Sequence, residues 1–243
     1  MRKIFFIPVI GLFLLCAGTI TPAQASTTPI IAFGDSLTEG CDITGSSTCG
    51  WVGGWGYWLE LQSLIDADGL DYTVYNHGNG GETTSDGVNR IDSVLDRACS
   101  QGASHILILE GTNDLLHYRT WQQVLFNLEV MIDKSRARGI EPLLATLTPD
   151  PNPEHAYKDI PLMNQKIREF AASKQPQVTL VDLDKALSPY WSQYTNPRGC
   201  YGDLLHPNWA GFQAMAATWY ATLYEFIKKD VHLPWLMLLL GNP

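Results

Sequence analysis

The residues able to do chemistry fall in four short stretches. Gly34-Asp35-Ser36 closes an apolar run, and Asn76 to Thr84 reads NHGNGGETT. Glu110 to Asp114 reads EGTND, and Gly202 to Asn208 reads GDLLHPN. A serine hydroxyl is a weak nucleophile until a neighbouring base takes its proton. His206 is the candidate base, because Asp203 precedes it by three residues and Pro207 follows it. Asp203 would hold the imidazole in one tautomer and stabilise its charged form. Pro207 disfavours helical geometry at His206 and suits the start of the helix that follows. Candidate donors for a tetrahedral oxyanion are the Ser36 N–H, a main-chain N–H in the glycine-rich stretch and the Asn113 amide. Together these types suit hydrolysis of a carboxylic ester.

Such groups work only if the fold brings them together. Near-continuous apolar runs at Pro29–Phe33, Tyr72–Asn76, His105–Glu110, Ile140–Thr146 and Gln177–Leu183 predict strands buried on both faces. Pro142 fits a strand start or an edge better than a strand centre. Helical patterns alternate with these runs at Gly53–Asp66, Ser85–Ser100, Thr120–Arg138, Tyr157–Ser173 and Asn208–Lys228. In the last of them Phe212, Met215, Ala216, Trp219, Leu223, Phe226 and Ile227 recur at helical spacing, as a core-facing stripe does. Gly139 is a plausible C-cap glycine after Arg138. This alternation predicts a five-stranded parallel sheet with helices on both faces, whose sites lie beyond the carboxyl ends of the strands. All four stretches follow predicted strands and therefore belong on one rim.

At this point a resemblance becomes specific. The four stretches resemble the sequence blocks of the SGNH hydrolases, also called the GDSL esterase/lipase superfamily. GDSLTEG resembles the first block, with Ser36 as nucleophile. NHGNGGETT resembles the second; register with Glu82-Thr83 matches Gly81 to the oxyanion glycine, and Gly80 is the alternative. GTND resembles the third, with Asn113 as the oxyanion asparagine. DLLHP resembles the last, with Asp203 and His206 completing a triad. The likeness runs from Ile31 to about Phe212. It implies a flavodoxin-like, three-layer α/β/α fold and ester hydrolysis through an acyl-enzyme, with no metal or cofactor. No Gly-x-Ser-x-Gly surrounds any serine, which separates the chain from the α/β-hydrolase elbow.

Other acids and histidines compete less well. Asp35 adjoins Ser36 and is better placed to support the turn. Asp182 and Asp184 end the fifth predicted strand but lack the short link to His206. Asp114 reads as a loop or helix cap. His77 and His117 lie near the predicted rim, while His105, His155 and His232 have no supporting context. No His-Glu-x-x-His or Cys-x-x-Cys spacing points to a metal.

Composition narrows the partners. With 45% apolar and 17% charged residues the chain is an ordinary globular one. Arg2 and Lys3, the apolar run from Ile4 to Leu15 and Ala23-Gln24-Ala25 read as a secretory signal cleaved after Ala25. Residues 26–229 then form the hydrolase domain and 230–243 an apolar tail, too short to span a bilayer. The full chain carries −9, and cleavage removes two bases and no acid. Nucleic acid and anionic membrane surfaces are disfavoured partners of so acidic a body. A secreted or periplasmic location permits disulfides. Cys41 and Cys49 flank one loop on the rim and are the expected pair; Cys200, on the same rim, is the alternative partner for either. Cys99 ends a helix at the opposite edge and is expected to be buried and free.

Two features bear on the substrate. The stretch CGWVGGWGYWLE concentrates Trp51, Trp55, Tyr57 and Trp58 beside the rim, which suits a sugar, whereas the tail suits lipid. Trp58 and Leu61 are expected to face the core from the first helix. The substrate is thus a small-molecule, lipid or carbohydrate ester. A transferase with the same triad, or a non-catalytic binding module on the same fold, are the other readings.

Overall fold

A computed structural model of the protein describes residues 27–42, 54–155, 159–195 and 203–228. The expected signal, the tail 230–243, Trp51, Cys49 and Cys200 lie outside the described residues, and so does the Cys41–Cys49 pairing.

The chain begins with β1 (Thr28–Gly34), the short α1 (Ser36–Glu39), and the two-residue strands β2 (Cys41–Asp42) and β3 (Gly54–Trp55). It continues through α2 (Tyr57–Ala67), β4 (Tyr72–Gly78), α3 (Thr84–Ser100), β5 (His105–Leu109), α4 (Thr112–Leu116) and α5 (Trp121–Arg136). The second half holds β6 (Glu141–Ala145), α6 (Ile160–Ser173), β7 (Thr179–Val181), α7 (Leu183–Leu187), α8 (Trp191–Tyr194) and α9 (Trp209–Ile227). Five strands form one sheet in the order β4-β1-β5-β6-β7, every neighbouring pair parallel. β2 and β3 form a separate antiparallel pair.

Strand side chains alternate between two cores, which is why the strands read as unbroken apolar runs. Ile30, Ala32, Leu107 and Leu109 point to one face, where α2, α7 and α9 pack. Ile31, Phe33, Ile106 and Ile108 point to the other, under α3, α5 and α6. The result is the three-layer α/β/α arrangement with the expected five-stranded parallel sheet.

Local sequence explains the element ends. Thr83 with Asp86, and Thr120 with Gln123, form capping boxes at the starts of α3 and α5. The Asn208 side chain caps α9 by accepting from Gly211 N–H. Gly139 follows α5 with φ +73°, as a helix-terminating glycine does. Pro142 stands second in β6, ahead of Leu143 where pairing with β7 begins, so its missing donor costs that ladder nothing.

Two expectations are corrected. Phe226 is 36% exposed, unlike the rest of the α9 stripe, and lies against the His105 ring with centroids 5.6 Å apart. The helix turns it past the edge of the core. Cys99 is free but exposed: it stands in the last turn of α3 on that helix's solvent side, where its thiol donates to the Arg138 carbonyl at 3.6 Å. Trp58 and Leu61 lie as expected, Leu61 fully buried and Trp58 partly buried against the same core.

Candidate active site

The sheet order reverses at β1, with β4 on one side and β5 on the other. In an open parallel sheet this creates a crevice beyond the strand carboxyl ends. Ser36 stands there as the first residue of α1, separated from β1 by Asp35 alone. Asp35 caps that helix: its Oδ1 accepts from Leu37 N–H at 2.9 Å, and the residue is buried. Asp35 therefore builds the turn that presents Ser36.

The loop from Asp203 to Asn208 brings the partners to the same crevice. Ser36 Oγ lies 2.9 Å from His206 Nε2. His206 Nδ1 lies 2.8 Å from Asp203 Oδ2. Asp203 Oδ1 also accepts from the N–H groups of Leu205 and His206, at 3.0 and 2.8 Å. The loop is tied to α8, since Trp191 Nε1 donates to the Leu204 carbonyl at 2.9 Å and Asn208 Nδ2 to the Gln193 carbonyl at 2.9 Å. Burial pushes the Asp203 carboxyl up, but the hydrogen bonds from the His206 ring and N–H outweigh it and hold the group below its ordinary value. Asp203 is thus an anion at neutral pH, aimed at an imidazole whose other nitrogen faces the serine.

Gly80, Gly81 and Asn113 lie on the neighbouring strand ends. A Cβ placed on Gly80 would sit 3.9 Å from Ser36 Cβ and 2.6 Å from Glu39 Oε2. Gly81 has φ +78° and open space on its Cβ side. Asn113 is nearly buried in α4 and donates from Nδ2 to the Glu82 carbonyl at 2.9 Å. The same nitrogen is 3.3 Å from Asp35 Oδ2, beyond the usual N–H···O range.

Beneath these loops lies an acidic network that the spacing of motifs did not disclose. Asp114 accepts from the Thr84 N–H and hydroxyl, both at 2.7 Å, so it joins the β5 and β4 ends as a loop brace. Glu82 is clamped by Arg90, through Nε at 2.9 Å and through Nη2. Asn79 Nδ2 adds a third bond at 3.0 Å. Glu110 is 1% exposed at the end of β5. Its one sequence signal was a carboxylate closing an otherwise apolar run. Burial raises the Asp35 carboxyl to about 7, and burial also raises Asp114.

The competing residues have other partners. Arg168 binds Asp182 at 2.7 and 2.9 Å and Asp184 at 2.7 Å. His77 is half-buried, with its imidazole pKa lowered by burial and by Arg90 and Arg97. His117 is exposed after α4, and His155 pairs with Asp150 at 2.8 Å. Trp55, at 41% exposure, stacks on Trp209, at 51%, three residues beyond His206; the ring centroids are 6.4 Å apart. The Trp209 indole N–H is anchored on Glu60 at 2.7 Å.

A parallel sheet of this order, carrying a serine after its first strand and an acid–histidine pair before its last helix, defines the class. The family model for the GDSL-like Lipase/Acylhydrolase family matches residues 32–214, and the chain belongs to that family. It is 30% identical over 129 residues to Esterase TesA of Pseudomonas aeruginosa, a match covering 53% of this chain and 59% of that protein. The chain thus spans less than two thirds of this relative's length. Arylesterase of Vibrio mimicus is 24% identical over 215 residues, covering 87% of this chain and 92% of that one. The crystal structure of the lipase/acylhydrolase from Enterococcus faecalis shares the fold, with a TM-score of 0.66 at 23% identity over 84% of this chain and all of that chain. Among the described residues no helix is long and apolar enough to cross a membrane.

Proposed function

We propose that the protein is an exported serine esterase that hydrolyses carboxylic esters. The observation that carries this reading is the unbroken hydrogen-bonded chain from Ser36 Oγ through the His206 ring to Asp203. His206 Nε2 takes the Ser36 proton as Oγ attacks the ester carbonyl. Asp203 holds the proton on Nδ1, which leaves Nε2 as the acceptor, and stabilises the imidazolium that forms. The oxyanion is held by the Ser36 N–H, the Gly81 N–H, with Gly80 as the alternative, and Asn113. The Asn113 N–H facing Asp35 is only weakly engaged, so a substrate oxygen can replace that long contact. Collapse of the intermediate expels the alcohol and leaves an acyl-Ser36. Water deprotonated by His206 then releases the acid.

The names of the two curated relatives, an esterase and an arylesterase, support the reaction class. The exposed Trp55–Trp209 pair beside His206 favours a ring-bearing substrate, such as an acetylated carbohydrate, over a simple acyl chain. The test is turnover of p-nitrophenyl acetate by purified wild type and Ser36→Ala. A fall of at least about 10³-fold is expected; equal rates would refute the assignment. A panel from acetyl to palmitoyl esters, run beside acetylated xylan, then decides the substrate class.

A further inference from the structure

Trp209 follows His206 by three residues, so the two Cα atoms lie within about 11 Å of each other. Trp209 is the first residue of α9, and its N-cap Asn208 is tied to the Gln193 carbonyl, which fixes the approach from the His206 loop. Trp55 is tied to the nucleophile instead. It pairs with Cys41 in the β2–β3 ladder, and its carbonyl packs on Gly40, where a Cβ would lie 2.1 Å away. Gly40 in turn closes α1, its N–H donating to the Ser36 carbonyl at 3.0 Å. The stacked indoles are thus carried by the elements that hold the serine and the histidine. Glu60 of α2 sets the Trp209 ring: one carboxylate oxygen accepts the indole N–H at 2.7 Å and the other the Gln213 amide at 3.3 Å.

Ser36 lies between two sets of groups. The segments bearing Gly80, Gly81 and Asn113 run into α3 and α5, which cover one face of the sheet. The His206 loop runs into α9, which covers the other face together with α2. As the acyl-enzyme forms, the imidazole returns the serine proton to the departing alcohol oxygen. The alcohol therefore leaves on the His206 side, away from the proposed oxyanion donors, and that is the side of the indole pair. The Trp209 N–H is engaged by Glu60, so this indole offers a ligand its ring face, with Glu60 and Gln213 as a polar border. Flat apolar faces with such a border match a pyranose, whose C–H face is ringed by hydroxyls, better than a methylene chain.

We propose that Trp55 and Trp209 form the subsite for the alcohol portion of the ester, that this portion is a pyranose ring, and that Glu60 is the positioning residue of the subsite. This rests on the esterase reading, because the alcohol side is defined by the action of His206 there. The same seat admits a free sugar to the acyl-enzyme. A sugar hydroxyl attacks the acyl carbon, and His206 Nε2 takes the hydroxyl proton. The bond from the acyl carbon to Ser36 Oγ then breaks, and Oγ receives that proton. The acyl group passes to the sugar in competition with water.

Esters of one acid with different alcohols test this on the full chain. Ethyl acetate and acetylated xylo-oligosaccharides give the same acetyl-Ser36, and only the second brings a ring to the indoles. Glu60→Ala is expected to raise KM for the xylo-oligosaccharides about two- to tenfold more than for ethyl acetate. Glu60→Gln keeps an acceptor for the indole N–H and should recover most of that difference. Equal KM changes for both esters in Glu60→Ala, or none for either, would overturn the proposal. A KM rise that instead tracks acyl length, from ethyl acetate to ethyl octanoate, would assign the pair to the acyl portion and overturn it as well. With vinyl acetate as donor and xylobiose as acceptor, wild type should form acetylated xylobiose. Trp209→Ala should form at least about twofold less of it per acetate released; an unchanged ratio would remove the sugar from the indoles. Ser36→Ala separates the two readings. Ethyl acetate turnover equal to wild type sinks the esterase assignment, whereas loss of that turnover with an unchanged KM ratio in Glu60→Ala sinks the subsite alone.

Discussion

Asp203 holds His206 at two points. One carboxyl oxygen meets the ring Nδ1 and the other accepts the main-chain N–H of the same residue, both at 2.8 Å. The three-residue spacing therefore fixes the position and the orientation of the imidazole together. Asp203→Asn keeps an acceptor for the main chain but turns an amide N–H toward Nδ1, which favours the wrong tautomer. Its kcat should fall by roughly 10³- to 10⁴-fold while the thermal midpoint moves by only a few degrees. A kcat within tenfold of wild type would remove Asp203 from the mechanism.

Gly78 and Gly81 should respond to alanine for different reasons. A Cβ at Gly78 would lie 2.0 Å from the Glu39 nitrogen and 2.4 Å from Glu39 Cα, which is backbone of α1 and cannot move aside. Gly78→Ala is expected to cost about 3 kcal/mol or more. At Gly81 the space is open and only φ +78° penalises a side chain. Gly81→Ala should cost about 1–2 kcal/mol. Urea unfolding of both variants checks the ranking, and a reversed order would contradict the contact geometry.

Asp35 should titrate near neutrality. Burial lifts its carboxyl from 3.8 to about 7. Between those values the folded chain keeps a proton that the unfolded chain has released. This carboxyl therefore supports the fold fully below pH 3.8, and the support declines as pH rises to about 7. Asp203, with its value lowered, acts in the opposite sense: its support is present above the ordinary carboxylate range and disappears in acid. Carboxyl ¹³C NMR, with Asp35→Asn to assign the resonance, reads the titration directly. An Asp35 midpoint at or below 4 would contradict the burial argument.

Trp219 fills the core beneath α2 and α9. It is fully buried, stacks on Tyr57 with centroids 5.8 Å apart, and its indole N–H has no acceptor among the described residues. Trp219→Ala should cost about 3–5 kcal/mol. Trp219→Phe should cost far less, because the smaller ring also removes an unsatisfied buried donor. Equal losses in chemical denaturation would mean that the N–H is satisfied.

Trp209 should discriminate among substrates. If its face carries a sugar ring, Trp209→Ala raises KM for acetylated xylo-oligosaccharides about two- to tenfold more than for p-nitrophenyl acetate. Parallel changes in both KM values would exclude a ring-binding role.

Much of this molecule is legible in its sequence. Strands buried on both faces must be apolar throughout, so β1, β4, β5 and β6 announce themselves, as do the long helices between them. Asp203 and His206 need only three residues of chain to meet, and Pro207 and Asn208 mark the helix start locally. Periodicity does not encode which strands become neighbours. Ser36 and His206 are 170 residues apart, and only the β4-β1-β5 order carries them to one crevice. The same order brings the Glu82 carbonyl to Asn113, and packing of the β2–β3 pair beside α9 sets Trp55 on Trp209. The exposure of Cys99 and Phe226 was equally a tertiary matter, set by what packs against each helix end. Local sequence chose the elements and the chemical groups, because capping and burial act over a few residues. The long-range packing free energy decided which groups meet, because it is summed over the whole core.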